Sequence, residues 1–190
     1  AHSLMPAQQR AAGDPVGDKT TFNVLYDEKN LYLRFRAELK KEDMNFKTRG
    51  RDAEIWLQEC INICLSPTAD KSRYYYLNVE PVPNSYTDAQ HGFITDENHP
   101  QYGWNDNGWD GDWSYNSVLR EKENTWHLLV TVPFATVKAP TPRKGTVWAA
   151  NIGRVHFTGD PEKRILSAWA YKVNISHIPG DAAMGEFMFE

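Results

Sequence analysis

The feature that most limits what this chain can fold into is a period of two that recurs in short runs. No run of eleven or more residues keeps a helical period. Phe22, Val24 and Tyr26 alternate with Thr21, Asn23 and Leu25. Asp27-Glu28-Lys29-Asn30 reads as a turn, after which Leu31, Leu33 and Phe35 alternate with Tyr32, Arg34 and Arg36. That pair predicts a hairpin. Tyr74–Val79, Trp109–Arg120, Trp126–Val132, Val147–Val155, Leu166–Val173 and Glu186–Phe189 read as further strands, and residues 135–138 suit at most one helical turn. Residues 84–112 keep no period. They are punctuated by Gly, Asn, Asp and His, and so read as a long surface excursion. Many short strands between turn signals predict an all-β chain, folded as a two-sheet antiparallel β-sandwich. Residues 1–20, polar and rich in Ala, Gly and Pro, read as an N-terminal arm or incomplete first strand, with one domain over 21–190.

One stretch, from Arg51 to Pro67, organises the chemistry. Ile61, Ile63 and Leu65 fall on one side of a strand, and Cys60, Asn62 and Cys64 fall on the other. If the pairing extends back to Trp56, then Trp56, Gln58, Cys60 and Asn62 share a face. A Trp and an Asn on one surface make a stacking platform with a polar handle, although large aromatics more often serve packing. Along a strand Cys60 and Cys64 are roughly 13 Å apart, beyond the limit of about 7 Å for a disulfide. They are expected to be free thiols packed as small hydrophobes.

Composition narrows the partners. A net charge of -4 argues against nonspecific binding to nucleic acid or anionic lipid. No apolar run is long enough to span a bilayer. No signal peptide is legible, and Ala1-His2-Ser3 reads as a mature or trimmed end. Seven Trp and nine Tyr suit a sugar-binding surface, and equally a β-rich core.

The order of motifs resembles the family 9 carbohydrate-binding modules and their DOMON-like, immunoglobulin-like sandwich relatives. The resemblance starts at Thr21-Phe22-Asn23-Val24-Leu25-Tyr26-Asp27 with Asn30-Leu31-Tyr32, and runs through Trp56–Ile63 and Tyr75–Pro81. It continues in Trp126–Phe134, Gly145–Arg154, Ser167-Ala168-Trp169 and His177-Ile178-Pro179, and closes at Gly185-Glu186-Phe187. It implies a noncatalytic module that binds a glycan or glycan end, secreted to an extracellular or periplasmic setting. Such a module belongs with a multidomain, glycan-degrading protein or system in polysaccharide metabolism. Trp56 matches the first of the two family Trp rings that clamp the sugar, and His177 aligns nearest the second. The polar positions fall at Asn62, Asn78 and Glu80. Trp169 lies in the closing motif. Arg154, on the face of Trp148, suits either sugar hydroxyls or a buried carboxylate.

Other chemistries leave weaker marks. Glu54 and Glu59 are five apart, no His or Cys spacing suits zinc, and no Gly-rich nucleotide motif is present, so an enzyme is not expected. No cofactor is required. Asn105–Asp112 has oxygen ligands at alternating positions, so a structural calcium ion stays open beside a plain turn-rich loop. DOMON-type relatives that hold haem b make Met44, His127, His156 and His177 candidate ligands of an electron-transfer domain. The third reading is a sandwich without ligand, serving as a structural module.

Overall fold

A computed structural model of the chain describes residues 2–3, 5–6, 18–44, 50–67, 73–92, 98, 100, 104–157, 164–170 and 184–190. They form two antiparallel sheets. The first contains, in spatial order, β1 (His2–Ser3), β3 (Thr20–Tyr26), β4 (Asn30–Glu38), β10 (Thr125–Pro133) and β9 (Ser114–Arg120). The second runs β2 (Met5–Pro6), β12 (Arg164–Ala168), β11 (Val147–Phe157), β5 (Cys60–Ser66), β6 (Arg73–Val79), β7 (Tyr86–Gly92) and β8 (Asn105–Asp106), with β13 (Gly185–Met188) also on β11. Among the described residues the helical pieces are 3-10 turns at Lys41–Asp43, Ile55–Leu57 and Glu121–Glu123.

The alternation of the sequence becomes the wall of one core. Leu31, Leu33 and Phe35 of β4 and Trp126, Leu128 and Val130 of β10 are buried from the first sheet. Ile61, Ile63 and Leu65 of β5, Leu77 and Val79 of β6, and Trp148 and Ile152 of β11 meet them from the second. Each large side chain buried in this way contributes about 1.5–3 kcal/mol relative to exposure. The first sheet keeps a solvent-facing outer side, on which Arg34 and Arg36 lie among exposed Leu25, Val118 and Leu129. The second is buried on both faces, because Cys60, Cys64, Tyr74 and Tyr76 are covered as well. Met184 packs on Cys64, Tyr74 and Tyr76.

Three expectations are corrected. Within 84–112, residues Tyr86–Gly92 form a full strand paired along β6. The strand escapes a hydrophobic pattern because its buried residues are mostly polar: Thr87, Asp88, Gln90 and His91. Second, the β5 pairing does not reach Trp56. Gly50 (φ 117°) and Asp52 (φ 57°) turn the chain, Ile55–Leu57 coils into a 3-10 turn, and the strand starts at Cys60. Third, β12 stops at Ala168, and the rest of its expected span beyond residue 170 lies outside the described residues. Both cysteines are free and buried.

Candidate functional site

The outer face of the second sheet carries one row that crosses four strands in register. Thr87 of β7 pairs with Asn78 of β6, Asn78 with Asn62 of β5, and Asn62 with Gly153 of β11. Side chains on one face of paired strands sit side by side, and the Asn62 amide donates to Asn78 Oδ1. The Asn62 amide also lies 3.4 Å from Cys60 Sγ. Asn78 is fully buried, whereas Asn62 is half-buried. Gly153 lets the neighbours approach closely: a Cβ there would lie 3.3 Å from the Ser167 carbonyl and 3.5 Å from Asn62 Oδ1.

Trp56 reaches this end of the sheet by a different route from the one expected. Its 3-10 turn packs against β5 and β6. The chain before it is tied to β7, where Asp52 N–H donates to the Tyr86 carbonyl (2.9 Å) and the Thr87 hydroxyl donates to the Ala53 carbonyl. The indole is half-buried. Trp56 thus shares an end of the sheet with Asn62 and Asn78, although it is not in their strand.

The remaining candidates lie elsewhere. Arg154 is buried between the sheets. Its Nε donates to Glu59 Oε1 (2.9 Å), Nη1 to Thr20 Oγ1 (2.8 Å) and Nη2 to the Glu38 carbonyl (2.8 Å). Of its two readings, the geometry is that of the buried ion pair. Burial pushes the Glu59 carboxyl up to about 7 against the lowering pull of the guanidinium. Glu80 is buried and its carboxylate accepts the Ser85 hydroxyl. Trp169 packs edge-on to Phe22 (5.7 Å between centroids) and against Phe187 (5.2 Å), on the core side of the sheet. It borders a groove of about 520 Å³ shared with Tyr26 and Phe189. His177 lies outside the described residues.

Of the candidate haem ligands, His177 lies outside the described residues, and His127 faces away from the core that Met44 packs against. His156 is buried on β11. The aromatics in and beside the long excursion are packed: Trp104 lies under Arg73, Trp109 meets Tyr75 at 4.9 Å, and Trp113 donates to Asp88. Within the Asn105–Asp112 loop, Asp106 closes a turn by accepting from Gly108 N–H (3.1 Å), and Asp110 reaches away to Arg51.

Sequence reasoning missed Thr87 and Gly153. Thr87 sits in the strand that showed no period. Gly153 carried a usable signal, since an isolated Gly inside a strand pattern marks a close approach. Chemically the row holds amide and hydroxyl groups and no charged side chain. Its half-buried Asn62 is the side chain that can meet a neutral polyhydroxyl ligand, with buried Asn78 behind it.

No protein-family model and no curated protein matches the sequence. Solved structures do match the fold, which is that of the family 9 carbohydrate-binding modules. A Bacteroides uniformis protein proposed to bind carbohydrate is 17% identical, with a TM-score of 0.68 over 100% of this chain and 85% of its own. A family 9 module from Caldicellulosiruptor kristjanssonii, solved with cellotriose, is 12% identical, with a TM-score of 0.62 over 92% of this chain and 76% of its own. The corresponding glucose complex gives 10% identity and a TM-score of 0.58 over 93% and 79%.

Proposed function

We propose that this chain is a noncatalytic carbohydrate-binding module that takes a neutral glycan, or the end of one, beside Trp56. The observation that carries the reading is the Asn62–Asn78 pair next to the side-chain-free Gly153, at the sheet end where the Trp56 turn packs. The fold is shared with modules solved with cellotriose and glucose, which supports the same ligand class here. The apolar face of a pyranose stacks on an indole, which supplies position and some energy. Specificity then comes from amides that match the ring hydroxyls, because an unpaired buried polar group costs about 1–3 kcal/mol. Along β5 only Asn62 is left partly open on this face, between buried Cys60 and Cys64 and beside buried Asn78. Affinity is therefore modest, since a shallow site buries little of the ligand.

Arg154 and Trp169 serve the sandwich in this reading, and Glu80 holds the turn after β6 through Ser85. No helix among the described residues is long and apolar enough to cross a membrane. An extracellular or periplasmic role within a glycan-degrading system fits a module of this kind.

The test is calorimetric titration with cellotriose and glucose. Trp56→Ala abolishes binding while the circular dichroism spectrum is kept, and Asn78→Ala weakens it. Full-strength binding by folded Trp56→Ala moves the site elsewhere, and loss of the fold makes Trp56 a packing residue.

A further inference from the structure

Arg34 and Arg36 stand two residues apart on β4, exposed on the side of the first sheet that faces away from the core. Along an extended strand that spacing is about 7 Å. The register sets their neighbours. Arg36 lies between Thr21 of β3 and His127 of β10. Arg34 lies between Asn23 of β3 and Leu129 of β10, with Asn116 of β9 next in that row. The guanidinium groups of Arg51, Arg120 and Arg154 meet carboxylates, whereas those of Arg34 and Arg36 have no carboxylate partner among the described residues. The acids close by are engaged elsewhere. Glu38, on the same face of β4, accepts from Lys19 N–H (3.1 Å), and Glu123 pairs with Arg120 (3.3 Å). The His127 pKa is lowered first by burial and then by the charges of Arg120, Arg36 and Arg34, against the pull of Glu123. The face is thus positive on a chain whose net charge is -4.

Two unpaired guanidinium groups at a fixed spacing suit a ligand with repeated anionic groups. Each fork can take a carboxylate or a sulfate through two parallel hydrogen bonds. The surroundings decide the class of ligand. Asn23, Asn116, Thr21 and Thr131 add amides and hydroxyls on the same face, which match a hydroxyl-rich chain. The exposed apolar side chains Leu25, Leu129 and Val118 stand on three different strands, none directly opposite another. They make no continuous apolar centre of the kind a protein interface buries. An open sheet face encloses no small molecule, but a polymer can cross its strands.

We propose that the outer face of the first sheet is a second binding surface, for an acidic polysaccharide that carries carboxylate or sulfate groups. Arg34 and Arg36 take the anionic groups, and Asn23 and Asn116 flank them toward the hydroxyls. The surface lies on the other sheet from Asn62 and Asn78, and it stands or falls independently of the neutral site beside Trp56.

Native electrophoresis through gels that hold polygalacturonate or dextran sulfate, each against a polymer-free gel, tests the surface. Wild-type protein is expected to be retarded, and less so as NaCl is raised, because exposed charges are screened. Retardation by one polymer alone assigns the surface to carboxylate or to sulfate. Fully methyl-esterified polygalacturonate, which keeps the hydroxyls and loses the charge, is expected not to retard. Arg34→Gln with Arg36→Gln is expected to bind the acidic polymer at least about tenfold more weakly, with circular dichroism, melting and the response to cellotriose as in wild type. Trp56→Ala is expected to keep the acidic polymer. Absence of retardation by both polymers overturns the proposal, as does retardation that survives in the double arginine variant. Equal retardation by polyglutamate also overturns it, since the face then reads charge alone and fits an acidic polypeptide as well.

Discussion

Arg154 is held by a carboxylate on the loop before β5, a hydroxyl on β3 and a carbonyl on β4, so a single side chain ties the second sheet to the first. The physical balance of such a group is asymmetric. Two desolvated charges that satisfy each other are close to neutral against an apolar replacement, while one left alone is strongly unfavourable. Arg154→Met is therefore expected to cost about 3–5 kcal/mol, because it strands Glu59 in the core. Arg154→Met with Glu59→Gln is expected to recover part of that loss. Urea unfolding of the two variants and wild type measures both, and equal stability of the single and double variants would show that the pairing is energetically idle. The sequence placed Arg154 on the Trp148 face and could go no further, since Glu59 lies 95 residues away and Thr20 lies 134 away. Deciding between sugar and carboxylate needed the partner, and the partner is a product of the topology.

At the scale of elements, alternation was enough wherever a strand has one apolar face on the core. β3, β4 and β10 run Thr20–Tyr26, Asn30–Glu38 and Thr125–Pro133, within about a residue or two of the span their period implies. It failed for β7 because Thr87, Asp88, Gln90 and His91 are buried through hydrogen bonds and ring stacking, which leave no hydropathy trace. It overreached at Trp56, because parity holds only while the backbone stays extended, and Gly50 and Asp52 bend it. The candidate polar row was legible to the same extent. Strand parity and the β5–β6 hairpin brought Asn62 to Asn78, as the register shows. Thr87 was hidden with its strand. β5 also carries a prediction of its own. Cys60 and Cys64 lie on one face of one strand, free and buried, and burial pushes both thiols far up from their usual range. Both are expected to stay reduced, unlinked and unreactive toward a thiol reagent until the protein unfolds. Intact-mass analysis with native and denatured alkylation checks this, and an intramolecular disulfide would contradict the β5 register.

The whole molecule couples its packing to pH through two imidazoles enclosed in the second sheet. His91 is stacked on Tyr74 with ring centroids 5.0 Å apart, and burial lowers its pKa to about 4. His156 lies 3.6 Å from Asp18. Burial, and secondarily the charge of Arg154, lowers its pKa to about 3. In the unfolded chain each imidazole titrates near pH ~6.5. As pH falls below that value, the unfolded state takes up protons that the folded state refuses. The stability contributed by each ring is thus complete above the unfolded pKa and is lost as pH falls toward the folded one. Glu59 acts with the opposite sign. Its folded pKa of about 7 lies above the unfolded carboxylate value, so the folded state gains a proton first and is favoured as pH falls through that range. Asp18 and Asp88, also raised by burial, add to the same side. The total pH profile mixes these signs, but a difference between variants isolates each ring. His156→Gln and His91→Gln are expected to gain on wild type by about 1.4 kcal/mol per pH unit as pH falls from about 6 to about 4, one proton for each ring. Above pH 7 the difference is constant. Urea midpoints of wild type and both variants at pH 7, 6, 5 and 4 give the slopes directly. A difference that does not change with pH would mean that the imidazole accepts its proton in place, and that the sheet around it admits water.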